Sequence, residues 1–97
     1  MMRMDSAKEL ERFFSENTWA DFSAYYEQLP DSAVPKGILK ALGDDLILSK
    51  IVVGVVGDGA ENWIHREIPA LGGLRPVDCL REEPLRRRLQ VCLERMP

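Results

Sequence analysis

An all-α fold, a small bundle of about five to seven short helices, is what this 97-residue chain predicts. Three observations carry that expectation. Apolar residues recur at helical spacing in several segments, clearest over Leu85, Leu89, Cys92, Leu93 and Met96. Start and stop residues punctuate those segments at short intervals: Ser, Thr and Asp before them, Gly and Pro after them. One run alone, Leu46 to Val56, is rich enough in β-branched residues to suggest a strand. Nothing else in the chain looks able to pair with it, and an isolated strand would leave its backbone groups unsatisfied.

Taken in order, Ser6-Ala7-Lys8-Glu9 reads as a capping box that opens a first helix running through Phe14. Leu10, Phe13 and Phe14 fall on its apolar side. Asn17 and Thr18 end that helix, and Thr18-Trp19-Ala20-Asp21 imitates a second box. Trp19, Phe22, Tyr26 and Leu29 then recur at helical spacing until Pro30-Asp31-Ser32 stops the run. A third helix extends from Ser32 or Ala33 to Leu42, with Pro35 in its first turn and Gly43 as the residue just past its end. Asp44 or Asp45 caps the Leu46–Val56 segment, where Leu48, Ile51, Val52 and Val55 share a helical face. Gly57-Asp58-Gly59 forms a turn, with Asp58 placed to cap the helix that holds Trp63.

The stretch from Trp63 to Met96 predicts three helical pieces joined by two sharp turns. Pro69 pushes Ile68 out of the α region, and Gly72-Gly73 permits positive φ. Pro76 suits the first turn of a new helix, and Glu83-Pro84 repeats the device for the last one. On that last helix Arg86, Arg87, Arg88, Gln90, Glu94 and Arg95 lie opposite the apolar stripe. Glu82 and Glu83 stand four residues before Arg86 and Arg87, the favourable order for ion pairs.

Ninety-seven residues suit a single domain with a modest core. Hydrophobic and charged fractions of 45% and 30% are ordinary for a globular protein, and the net charge of −3 argues against general nucleic-acid binding. The opening MMRMDSAKEL lacks the apolar core of a signal peptide, and no apolar run approaches a membrane span, so the expected location is cytoplasmic, with no membrane partner. Cys79 and Cys92 do not make a disulfide framework; both read as buried free thiols. Catalysis finds little to build on. His65 is the single histidine, with nothing in sequence bringing Glu61 or Cys79 to it. One histidine and two cysteines do not supply a metal set. The run Gly54 to Gly59 lacks both the Gly-Lys-Ser/Thr ending and the GxGxxG order of phosphate loops. A binding protein without cofactor is expected, not an enzyme.

A motif narrows that expectation. The residues Trp63, Pro69, Ala70, Leu71, Gly72, Gly73, Pro76, Asp78 and Leu80, followed by Leu93 and Arg95, resemble the toxin-binding domain of the MbcA/ParS/Xre antitoxins. The resemblance covers the second half of the chain, from about Gly43 onward. It implies a division into an N-terminal helical region over 1–43 and a toxin-binding region over 44–97. It also implies a partner, a RES-type toxin that degrades NAD, blocked by steric occlusion in a type II toxin–antitoxin system. Arg86, Arg87, Arg88, Arg95, Met96 and Pro97 are the expected toxin-facing residues. Trp63, Pro69, Leu71, Gly72, Gly73, Pro76, Asp78 and Leu80 are the expected scaffold behind them.

In that family the end of the antitoxin closes the NAD pocket of the toxin and continues past the position of Arg95. Here Met96-Pro97 follows at once, so inhibition uses either this short tail or the face of the last helix. The arginines have a plainer reading as a solvated face paired with Glu82 and Glu83, and a third as phosphate contacts. Relatives also carry an N-terminal helix-turn-helix that binds operator DNA. Repression of its own operon is therefore the alternative function, although acids outnumber bases between Asp21 and Asp45. A homodimer built on Phe13, Phe14, Trp19, Phe22, Tyr25 and Tyr26 is a further alternative to these rings simply filling the core.

Overall fold

Helix formation in the central run is decided at its first turn. Asp45 holds extended backbone, and its Oδ1 accepts the Leu48 N–H at 3.0 Å. That satisfies one of the donors a helix start leaves orphaned. The run then satisfies its own backbone as a helix, which a lone strand could not do. The computed structural model describes residues 10–96. In chain order these form α1 (Glu16–Tyr26), α2 (Lys36–Ala41), α3 (Leu46–Val56), α4 (Ala60–Trp63) and α5 (Glu83–Arg95). Short 3₁₀ turns occupy Leu10–Phe13, Asp31–Ala33, Gly57–Gly59, Pro69–Leu71 and Pro76–Leu80. Among the described residues the only β pairing is an isolated antiparallel bridge between Ile68 and Leu74. The fold is all-α, as the sequence predicts.

Several boundaries differ from the expected ones, each for a local reason. The Ser6–Glu9 box lies outside the described residues, and Leu10–Phe13 is a 3₁₀ turn. The cap of α1 is Ser15, not Thr18: Ser15 Oγ accepts the Thr18 N–H at 3.4 Å. The third helix begins at Lys36, not at Ser32 or Ala33. Pro35 disfavours the α conformation in the residue before it, and Val34 sits at φ −100°, ψ 115°. Asp58 does not cap α4, whose preceding residue is Gly59 with no side-chain bond.

The end of α2 follows a Schellman pattern. Gly43, at φ 73°, donates to the Lys40 carbonyl at 3.1 Å, and Asp44 donates to Leu39 at 2.8 Å. Asp44 itself adopts φ 64°, a region that Asp tolerates better than most residues. The chain therefore reverses tightly, and Asp45 starts the next helix at once.

Elements from both sides of residue 43 build a single core. Ile38 and Leu42 from α2, Leu48, Ile51 and Val52 from α3, Trp63 and Ile64, Leu71, and Leu89 and Leu93 from α5 form one buried cluster. Trp19, Phe22 and Tyr26 on α1 pack against it from one side. Their rings meet in series, with centroids 5.8 Å and 5.2 Å apart. Lys50, buried on α3, fastens the far end of α1. Its Nζ pairs with Asp31 Oδ1 at 2.9 Å and donates to the Glu27 carbonyl at 3.4 Å. A cation there also suits the negative end of the α1 dipole.

Candidate functional site

The motif residues assemble as scaffold around one miniature hairpin. Ile68 N–H donates to the Leu74 carbonyl at 3.0 Å, and Gly73 N–H donates back to Ile68 at 3.0 Å. The reversal between them needs positive φ twice, at Gly72 (76°) and Gly73 (85°), where a side chain would strain the backbone. Trp63, Leu71 and Pro76 are buried, Asp78 and Leu80 are half-buried, and Pro69 is exposed. Val77 N–H reaches the Ile64 carbonyl at 3.1 Å, tying the Pro76–Leu80 turn to the Trp63 segment. Asp78 grips Arg75 with both oxygens, at 2.8 Å and 3.2 Å, and stands 3.5 Å from Arg81. The Arg75 hydrogen bonds hold the Asp78 carboxyl below its usual range.

The four arginines of α5 do not form one solvated face. Arg88 is buried. Its Nη1 donates to the Leu71 carbonyl at 3.1 Å. Its Nε and Nη2 converge on Glu11 Oε2 at 3.0 Å and 2.7 Å. Arg88 therefore joins the N-terminal turn to the Leu71-Gly72-Gly73 reversal. Arg86 reaches Asp45 at 3.1 Å, not Glu82, and crosses from α5 to the cap of α3. Arg87 makes the expected i, i+4 approach to Glu83, at 3.7 Å, and lies 5.5 Å from the centre of the Phe14 ring. Arg95 stacks on Phe13 at 4.6 Å. Met96 is half-buried against the core, and Pro97 lies outside the described residues.

What the arrangement offers is a partly open surface of aromatic and charged side chains, with acids and arginines balanced. A cleft of about 330 Å³ lies between α1 and the start of α5, lined by Phe14, Glu16, Trp19, Glu83, Arg86 and Arg87. Trp19 and Arg86 also line a smaller neighbouring cleft with Leu48 and Leu80. Arg86 and Arg87 keep a third to a half of their side-chain surface accessible. Both cysteines are buried, and burial pushes the Cys79 thiol up to about 11, with Arg88 nearby opposing the shift. The Cys92 thiol is raised by burial as well. Such thiols are poor nucleophiles near neutrality. Among the described residues no group of three or more His, Cys, Asp or Glu is placed to hold a metal, and no helix is long and apolar enough to cross a membrane.

Sequence reasoning missed Glu11, Phe13 and Phe14 as contacts of the arginines. The residues themselves give a faint signal, an acid and two rings beside three successive arginines far along the chain. No local spacing rule joins positions separated by more than seventy residues. Phe13, expected on an apolar helix face, is 58% exposed, because the turn sets its ring against Arg95 and not into the core. The chain matches no family model, no curated protein and no solved structure.

Proposed function

We propose that this protein is a partner-binding subunit, an antitoxin of the MbcA/ParS/Xre kind that blocks a RES-type NAD-degrading toxin by covering its substrate entrance. The observation that carries the reading is the motif from Trp63 through Leu80. Its Trp, Leu and second Pro are buried together and its Gly-Gly pair takes positive φ, so the string that resembles the family also has a definite structural job here. The mechanism is association. Phe14 and Trp19 in the α1–α5 cleft would supply apolar contact, with Arg86, Arg87 and Arg95 supplying charge complementarity to carboxylates of the toxin. Arg88 differs from these three in that its donors are already met within the chain, by Glu11 and the Leu71 carbonyl.

Operator binding has less to recommend it. Helix α1 carries Glu16 and Asp21 and no base, and α2 is only six residues long with Lys36 and Lys40. Recognition helices need several donors aimed at phosphates and base edges.

Co-purification of this protein with the product of its neighbouring gene tests the proposal, followed by NAD consumption with and without the protein. A stable complex with suppressed NAD loss is the expected result. Replacing Arg86 and Arg87 together by Ala should weaken the complex by about five- to thirtyfold, the range of one or two interface contacts. If the proteins do not associate, or NAD loss continues unchanged, the antitoxin reading fails.

A further inference from the structure

Glu11, Phe13 and Phe14 meet α5 as a ligand would. Arg87, Arg88, Val91 and Arg95 fall on one side of that helix, at i, i+1, i+4 and i+8. The turn Leu10–Phe13 with Phe14 lies across this side as a strap: a carboxylate on Arg88 at 2.7 Å, one ring by Arg87 and the next by Arg95. Val91 is 1% exposed yet stands apart from the main core cluster. We propose that this side of α5 is a docking groove for a protein segment presenting a carboxylate and two aromatic rings, and that the strap is its resident, displaceable occupant.

The strap packs extensively on α5, and it does so largely through charged and aromatic groups. It is one 3₁₀ turn, closed by a long 3.4 Å bond from the Phe14 N–H to the Glu11 carbonyl. Its rings lean on guanidinium groups, and Phe13 remains 58% exposed. Arginine is enriched among the residues that carry binding energy between proteins, because its fork pairs with carboxylates and stacks on rings. Such contacts transfer readily to an incoming segment of the same chemistry. Ser15 follows the strap in extended backbone, at φ −137° and ψ 128°, and starts α1 independently through its own cap. Displacement of the strap therefore leaves the cap of α1 in place. With the strap displaced, Arg87, Arg88 and Arg95 would outnumber Glu83, the acid that approaches Arg87 at 3.7 Å, so an acidic segment is favoured over a neutral one.

The inference deepens the proposed function, since the toxin would engage the same side of α5, but its test needs no toxin and fails separately. The probe is a fluorescein-labelled peptide of sequence Leu-Glu-Arg-Phe-Phe-Ser, titrated by anisotropy against the full chain and against the full chain carrying Glu11→Gln, Phe13→Ala and Phe14→Ala. A tethered strap competes at millimolar effective concentration, so weakening it should tighten peptide binding by about tenfold or more. Adding Arg87→Ala and Arg95→Ala should abolish the gain, and a peptide with Gln and Ala in place of Glu and Phe should not bind. Phe13→Ala alone changes a largely exposed ring, so the variant keeps its helicity, and it should give a smaller gain in the same direction. Equal binding to the wild-type and strap variants overturns the proposal, as does binding that ignores the arginines. A wild-type dimer that becomes monomeric in the strap variant also overturns it, since the occupant would then be the strap of a second copy.

Discussion

Arg88 directs its guanidinium at two segments that are distant in sequence, Glu11 and the Leu71 carbonyl. A buried arginine is tolerable only when its donors are met, and here a carboxylate and a backbone oxygen meet them. The same logic makes Trp63 a structural residue. It is 8% exposed and lies in the main core cluster with Leu71, Ile64 and Leu89. Trp63→Ala should lower stability by about 3–5 kcal/mol, the range for removing a large buried aromatic side chain. Urea unfolding followed by circular dichroism measures it. A loss below about 1 kcal/mol would mean the ring is not a core element. Gly73 makes a subtler case. A Cβ there meets no atom within 4 Å, so Gly73→Ala would be penalised by its φ of 85° alone, roughly 1–2 kcal/mol.

At the scale of elements, the approach of α1 to α3 depends on Gly54. A Cβ built there would come within 2.4 Å of the Tyr26 ring, so the tyrosine fills the space a side chain would need. Glycine inside a helix costs about 1 kcal/mol relative to Ala, yet Gly54→Ala should destabilise, by about 1–3 kcal/mol, because overpacking outweighs the propensity gain. In a Tyr26→Ala background the sign should reverse, leaving Gly54→Ala slightly stabilising. A double-mutant cycle in urea separates the two effects. Additive effects of the two substitutions would show that the helices are not in contact there. Helix α5 shows the other side of element packing. Its apolar stripe, Leu85, Leu89, Cys92, Leu93 and Met96, faces the core as the spacing predicts, while Arg88 and Val91 on a neighbouring side are buried too. A helix that packs on one side only would have left both exposed.

At the scale of the whole molecule, the buried thiols should make stability depend on pH in the alkaline range. Burial raises the pKa of Cys79 to about 11 and shifts Cys92 in the same direction. Both groups are neutral when protonated, so between the unfolded value near 9 and the raised folded value the unfolded state has lost protons that the folded state keeps. Stability is full below about pH 9 and falls as pH rises through that window. Chemical denaturation at pH 8 and pH 10.5 should show the loss, and replacing both cysteines by Ala should remove part of the difference. At pH 8 the native thiols should react with a thiol reagent far more slowly than the urea-unfolded chain. Rapid native labelling would contradict their burial.

Local signals sufficed for much of this protein. A cap at Asp44 or Asp45, the reversal at Gly43, the turn at Gly72-Gly73 and the apolar stripe of α5 each depend on residues within a few positions of one another, whereas the helix over Leu46–Val56 is chosen over a strand because no second strand-like run exists elsewhere in the chain to pair with it. Short-range geometry governs caps, turns and periodicity, so a linear reading can see them. The start of α1 is not legible in the sequence, because Ser15 and Thr18 both suit a cap and only the path of the chain before the helix selects between them. Tertiary structure decided the rest. It buried Lys50 beside Asp31 and Glu27, paired Arg86 with Asp45, and set Glu11 on Arg88. A charge cluster carries no record of which distant partner will approach it. Coulombic and stacking contacts depend on positions in space, and those exist only once the core has brought α5, the N-terminal turn and the Leu71 reversal together.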